Sequence, residues 1–194
     1  MKMQKGVKFY YLLSLKLLLL LCYTLIILQA KAQCDTLLRI DKDRFLTGLT
    51  SASFKEQMPI IRDGRYRILM SAFINVQNGR SGVGIAIGRG RCIKPNAEVL
   101  FKLNSGKEEV ATSINKEVNC DGTYTFLYVK QQPKVLLYSL AESKILYITY
   151  VFSDTVETLQ LTNEEAETVQ KAFKCLVEID IANNAKANKR NRKQ

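Results

Sequence analysis

The stretch AEVLFKLNSGKEEVATSI, residues 97–114, decides the fold class. In its first half Ala97, Val99, Phe101 and Leu103 alternate with Glu98, Leu100 and Lys102, which is the two-residue period of a β-strand. Asn104-Ser105-Gly106-Lys107 is a typical hairpin turn, and Val110, Thr112 and Ile114 resume the alternation. The stretch therefore predicts an antiparallel hairpin.

The cysteines around this hairpin predict a disulfide bond. Cys92 and Cys120 each lie fourteen residues from Gly106, so paired arms bring them together at the open end of the hairpin. Cys175 lies about 200° around a helix from Phe173, away from the apolar face, where a bridge explains a cysteine better than packing does. We therefore predict Cys92–Cys120 and, by elimination, Cys34–Cys175. The alternative is that some of the four remain free thiols, because closure also requires suitable geometry.

Strand patterns continue on both sides of the hairpin. The predicted strands are 66–76, 83–87, 97–103, 110–114, 123–129, 144–152 and 156–161, and residues 133–141 form a short helix or a covering loop. The stretch 34–59 has no sustained period and is read as a strand or loop lead-in. The segment 144–152 is apolar on both faces, which predicts a central strand.

The last element is a helix. Thr162 and Glu165 fit a capping box, and Ala166, Val169, Phe173, Leu176 and Val177 recur at helical spacing. We predict a helix over 163–179 that docks on the sheet, followed by a disordered basic tail over 182–194. The fold class is α+β: a mostly antiparallel sheet of six to eight strands with this C-terminal helix packed on it.

The charge of +11 is concentrated at the two ends of the chain. Residues 1–32 and 181–194 each hold five bases and no acid, so the body between them is close to neutral. The chain has no His, which excludes Ser-His-Asp and Cys-His nucleophile systems and His-ligated metal sites. The composition predicts neither a cofactor nor a metal, and it makes a nucleic-acid partner unlikely for the folded body.

The first 32 residues have the three parts of a secretory signal peptide. A basic start is followed by an uncharged run over 17–28 that contains seven Leu, and Ala30 and Ala32 mark a cleavage site before Gln33. An uncut membrane anchor is the alternative, although the run is short for one. Lipidation at Cys34 is disfavoured because Gln33 is not small. We therefore predict a signal peptide over 1–32 and one β-rich domain over 33–181, exported to the periplasm or secreted.

Several motifs are candidates for binding or catalytic sites. An aromatic stripe of Tyr124, Phe126 and Tyr128 resembles ligand-binding sheets, although the inner face of a sheet explains it more readily. The tail bases Lys189, Arg190 and Arg192 are candidates for contact with an anionic polymer. Glycines 82, 84, 88 and 90 favour bulges or turns over a dinucleotide loop, and Ser113-x-x-Lys116 lacks the other penicillin-binding motifs. Acidic groups at 108–109 and 164–167 are explained by solvated strand and helix ends.

The order of the motifs resembles a group of small exported proteins of Bacteroidetes-type bacteria. Asp43-Arg44-Phe45-Leu46-Thr47-Gly48 precedes the strands, then come a Cys, the Val-Leu-Phe-Lys-Leu strand, a second Cys and a helix with Phe173-Lys174-Cys175-Leu176. In that group a D-x-F-T-G segment leads a β-rich domain closed by a helix, and Leu46 departs from its spacing. The resemblance covers roughly 40–180 and implies export and a fold without a known active site.

These observations predict an exported, non-catalytic binding or structural module of the bacterial cell envelope. Its expected partner is an envelope protein or an anionic polymer, and contact with a membrane is expected only through an uncut signal anchor. The alternative is a small hydrolase of envelope polymers, which would use two Asp or Glu carboxylates facing one cleft.

Overall fold

The computed structural model describes residues 15–21, 34–42, 50–56, 58–62, 65–75, 80–87, 92–114, 116–120, 123–127, 133–152 and 155–191. The chain divides into two units, residues 1–36 and residues 37–194. In the first unit residues 15–21 are helical, and their leucines are more than half exposed. The second unit holds every strand and both long helices that are described.

The second unit contains ten strands and two helices in the described ranges. In chain order they are β1 (Leu38–Lys42), β2 (Thr50–Phe54), β3 (Met58–Arg62), β4 (Arg65–Asn75), β5 (Arg80–Ile87), β6 (Glu98–Leu103), β7 (Glu108–Thr112), β8 (Thr123–Leu127), α1 (Pro133–Glu142), β9 (Ile145–Val151), β10 (Val156–Gln160) and α2 (Asn163–Asn191).

The larger sheet has the order β1-β2-β4-β5-β8, and β3 pairs with β4 beside this path. Every pairing is antiparallel. Alternate residues of β4, namely Ile68, Met70, Ala72 and Ile74, are buried, so the face predicted from the two-residue period is the core face. Residues 34–59, for which the sequence showed no period, supply β1, β2 and the start of β3.

The smaller sheet has the order β10-β9-β6-β7 and is also antiparallel. Its centre is the predicted hairpin, β6–β7, whose turn places Gly106 at φ +86°, a conformation that glycine adopts without strain. Gly106 N–H donates to the Leu103 carbonyl and Leu103 N–H to the Lys107 carbonyl. The predicted α+β class with mostly antiparallel sheet and a C-terminal helix is confirmed. The strands number ten in two sheets, where six to eight were expected in one.

Both helices contact strands of both sheets. α1 contacts β5 in the larger sheet and β7 in the smaller one, while α2 contacts β1, β2 and β4 in the larger sheet and β9 in the smaller one. The two helices also pack against each other. The two sheets are therefore joined through the helix pair.

The start of α2 is the predicted capping box. Thr162 N–H donates to Glu165 Oε2 at 2.8 Å, and Glu165 N–H donates to Thr162 Oγ1 at 3.2 Å. Ala166, Val169, Phe173 and Leu176 of the predicted apolar face are buried, and Phe173 meets Phe54 of β2 edge to face at a centroid distance of 5.2 Å.

The predicted end of this helix is wrong. Helix α2 continues from residue 179 to Asn191, so residues 182–191, expected to be disordered, are helical. Two causes are visible. Asp180 and Asn183 are buried and anchor the extension, and Ala, Lys and Arg, which dominate it, are strong helix formers.

Cys175, which the helical spacing places away from the apolar face, is nevertheless buried, with 6% of the residue exposed. Since α2 is covered by α1 on one side and by strands on another, a wider part of its circumference is buried than one apolar stripe would need.

The structure bonds Cys92 to Cys120 with an S–S distance of 2.12 Å, the pairing that their symmetric placement predicts. Ile93 and Asn119, the neighbours of this pair, exchange two backbone hydrogen bonds of 2.7 and 3.0 Å. The open end of the hairpin is therefore closed by a pair of backbone hydrogen bonds and by a disulfide bond. Cys34 and Cys175 are also disulfide-bonded, and their pairing with each other stays a prediction.

The buried side of α2 predicts a strong dependence of stability on Phe173. Replacing Phe173 by Ala removes a fully buried ring and its contact with Phe54, so we expect a loss of about 3–5 kcal/mol in the free energy of unfolding. Replacing the exposed neighbour Lys174 by Ala should change it by less than about 0.5 kcal/mol. Urea denaturation of the oxidised protein measures both, and equal effects would contradict the described packing of α2.

Candidate functional site

The predicted aromatic stripe belongs to β8. Tyr124 is paired with Ile85 and Phe126 with Val83, and both β5 residues are fully buried. Residues directly opposite in an antiparallel ladder share a face, so the register places both positions on the same face as these β5 residues. Tyr128 lies outside the described residues. A binding role for this stripe stays a prediction.

The predicted basic tail lies mostly within α2. Lys189 is exposed on the helix and Arg190 belongs to its last turn, whereas Arg192 lies outside the described residues. Cations near the C-terminus of a helix interact favourably with the helix dipole, which gives these bases a structural reason for their position. They are held on a helix, and a contact with an anionic polymer would be made from that helix.

Two other motifs have structural explanations. Gly84 lies within β5 opposite Ser71, where a Cβ atom would come within 2.6 Å of Ser71 Oγ, so close strand approach explains this glycine. Ser113 follows β7 and is 1% exposed, while Lys116 is exposed. A buried serine outside a helix does not meet the requirements of the penicillin-binding nucleophile.

The adjacent acids Glu108 and Glu109 project to opposite faces of β7. Glu108 accepts a hydrogen bond from Lys102 Nζ at 2.7 Å, and Glu109 forms an ion pair with Lys107. They do not form the pair of facing carboxylates that the hydrolase alternative requires.

Ser139 of α1 lies between the charged partners Lys107 and Glu109. Its hydroxyl donates to Glu109 Oε1 at 2.6 Å and accepts from Lys107 Nζ at 3.0 Å. A serine beside a lysine is also an arrangement of nucleophilic catalysts, but Ser139 is only 6% exposed. The cluster therefore fastens α1 to the hairpin without presenting a nucleophile to solvent.

The acids near the start of α2 are also engaged. Glu165 caps the helix, and Glu167 accepts a hydrogen bond from Lys144 Nζ at 2.8 Å. This hydrogen bond and the charge of Lys144 lower the pKa of the Glu167 carboxyl.

One face of the smaller sheet, here called the outer sheet face, is exposed in the described part of the second unit. Residues such as Val99, Phe101 and Ile148 point to the core, and the alternating residues point outward. The outer sheet face consists of Val156, Thr158 and Gln160 in β10; Tyr147, Thr149 and Val151 in β9; Glu98, Leu100 and Lys102 in β6; and Glu108, Val110 and Thr112 in β7.

This face carries exposed apolar side chains among polar and charged ones. Nine of its twelve side chains are uncharged, and its large apolar members include Val156, Val110 and Val151, which are 63%, 55% and 38% exposed. Thr149 and Thr158 share a hydroxyl hydrogen bond of 2.9 Å, which directs their polar atoms to each other. Exposed apolar side chains grouped on one face are a feature of interaction sites.

The sequence carries a signal for this face. The segment 144–152 is apolar on both sides, which predicts a central strand. β9 is central in its sheet, between β10 and β6, but Tyr147 and Val151 are exposed. The contact between Tyr138 and Asp180 is also not predicted by the sequence, because the two residues are 42 positions apart and form no local pattern.

Tyr138 and Asp180 form a polar contact between the two helices. The Tyr138 hydroxyl donates to Asp180 Oδ2 at 3.0 Å, and Asn184 Nδ2 donates to the same oxygen at 3.2 Å. Burial raises the pKa of the Tyr138 hydroxyl, and the Asp180 carboxylate raises it further. Because the ionised phenol is disfavoured only in the folded protein, this contribution to stability is present below pH 10 and is lost as the pH rises through the higher folded pKa.

The Tyr138→Phe variant tests this linkage. At pH 8 we expect it to be less stable than the wild type by about 1–3 kcal/mol, the usual value for a hydrogen bond to a charged group. As the pH rises above 10 the gap should narrow, because only the wild type has this hydroxyl to ionise. Denaturant unfolding across this pH series measures the gap, and a gap that is constant with pH would refute the role of Tyr138.

Within the described ranges, no three Cys, Asp or Glu residues are grouped so that they could hold a metal ion. None of the helices described there is long and apolar enough to cross a bilayer. No protein-family model, no curated protein and no solved structure matches this chain.

Proposed function

We propose that the chain is an exported, disulfide-stabilised module of the bacterial cell envelope that acts by binding, without catalysis, and that its contact surface is the outer sheet face. The observation that carries the proposal is the exposure of valine side chains on a sheet face whose other side forms the core.

The cysteines support export. Cys34, Cys92, Cys120 and Cys175 are all disulfide-bonded, and such bonds persist in oxidising compartments such as the periplasm and the cell exterior. The helical leucines at 15–21 add support. They are 57–69% exposed, and exposed leucines in such number favour a hydrophobic environment such as a signal peptide meets during export. The resemblance to exported Bacteroidetes proteins points the same way.

The binding role is supported by what the polar groups of the second unit already do. The carboxylates of Glu109, Glu165 and Glu167 are committed to an ion pair, a helix cap and a second ion pair. The buried hydroxyl of Ser139 joins α1 to the hairpin. Structural work therefore accounts for these groups, whereas Val110 and Val156 of the outer sheet face stay exposed in the described part of the fold.

Site-specific photo-crosslinking in the producing cells tests the proposal. A photoreactive residue at Val110 or Val156 of the outer sheet face should form cross-links, whereas one at Thr168, exposed on α2, should not. Mass spectrometry of the same protein should find an N-terminus at Gln33 and oxidised cysteines, as an exported and cleaved chain requires.

Equal cross-linking from all three positions would contradict the binding surface. A chain that keeps Met1 and reduced cysteines would contradict export. If the chain keeps Met1, has intact disulfides and is found in the membrane fraction, residues 1–32 act as an uncut anchor and are not a cleaved signal peptide.

A further inference from the structure

We infer that the partner of the outer sheet face is the same face of a second copy of this chain, packed about a two-fold axis; this rests on the proposed function and names its partner. In such a dimer two smaller sheets face each other at about 10 Å, as the two sheets of a β-sandwich do. A two-fold interface is self-complementary, so each residue must tolerate the neighbour that the symmetry gives it.

The central row of the face satisfies this condition. The strand register aligns Thr158, Thr149, Leu100 and Val110 across the four strands. A two-fold axis that runs along this row places each of these side chains opposite the same residue of the second copy. Only uncharged residues tolerate such a position, because like charges would otherwise meet, and this row carries no charge.

The charges of the face lie off the axis and are complementary across it. Glu98 and Lys102 lie on β6, two residues on either side of Leu100 and on the same face. The axis reverses the strand direction, so Glu98 of one copy meets Lys102 of the other, and this happens twice in each dimer. Glu108 meets the uncharged Thr112 and stays 2.7 Å from Lys102 of its own chain.

The flanking rows also meet. The same axis places Tyr147 opposite Val151, which is an apolar contact, and Val156 opposite the uncharged Gln160. Four strands of about five residues cover about 300 Å², which is less than the roughly 800 Å² per partner of a stable complex. The dimer is therefore transient and forms at high concentration.

Sedimentation of the purified, oxidised protein over roughly 10 µM to 1 mM tests the inference at the concentrations where a small interface associates. The Glu98→Lys variant sets two lysines against each other across the axis. We expect its dimer dissociation constant to rise at least about tenfold.

Reversal of all three charges is the matched rescue. In the triple variant Glu98→Lys, Lys102→Glu, Glu108→Lys, positions 102 and 108 of one chain still carry opposite charges. Positions 98 and 102 also still carry opposite charges across the axis. We expect its dissociation constant to return to within about threefold of the wild-type value, that is within about 0.7 kcal/mol. The control is Glu178→Lys, the same charge change on the exposed side of α2, which should leave association unchanged.

A wild-type protein that stays monomeric at 1 mM overturns the inference, and so does a triple variant as weak as Glu98→Lys when circular dichroism shows both variants folded. Cross-links from Val110 in cells separate the two proposals. If they persist while the purified protein is monomeric, the outer sheet face binds another molecule and the proposed function stands. If they are also absent, both proposals fail.

Discussion

The packing of α2 against both sheets is the contact on which the rest of the structure depends. On one side Phe173 meets Phe54 of the larger sheet, and elsewhere the same helix contacts β9 of the smaller sheet. Alternate residues of β4 and of the smaller sheet are buried, and a buried sheet face needs a second layer to cover it. The helix pair supplies that layer for both sheets. The long α2 is therefore the element that makes residues 37–194 one unit.

Polar contacts fix how α1 sits in this arrangement. Ser139 joins it to the charged end of the hairpin, Tyr138 joins it to Asp180 of α2, and Gln170 Nε2 donates to the Ala141 carbonyl at 3.2 Å. The last contact satisfies a carbonyl at the end of α1 that has no partner within its own helix. With the helices held on the inner side of the smaller sheet, the outer sheet face is left for a partner.

Local patterns predicted the elements well, and they failed where distant contacts decide. The hairpin 97–114, the capping box at Thr162 and the buried stripe of β4 each depend on neighbours a few residues away, so periodicity and turn chemistry were enough. The extension of α2 beyond residue 179 depends on Asp180 reaching Tyr138, a contact that no local pattern encodes. The division into two sheets has the same origin, since alternation predicts strands and leaves their partners open. For the outer sheet face, composition showed that both sides of β9 are apolar, but only the packing shows which side the helices cover.

Native-state hydrogen exchange tests the joining role of α2 most directly. If the helix pair holds the two sheets together, the slowest amides of β4, of β9 and of α2 around Phe173 exchange through the same global opening and report one free energy of opening. The Phe173→Ala variant should then lower that free energy by the same amount in all three elements. If the amides of β9 exchange through an opening at least about 2 kcal/mol less costly than those of β4, the smaller sheet opens independently and the account is wrong.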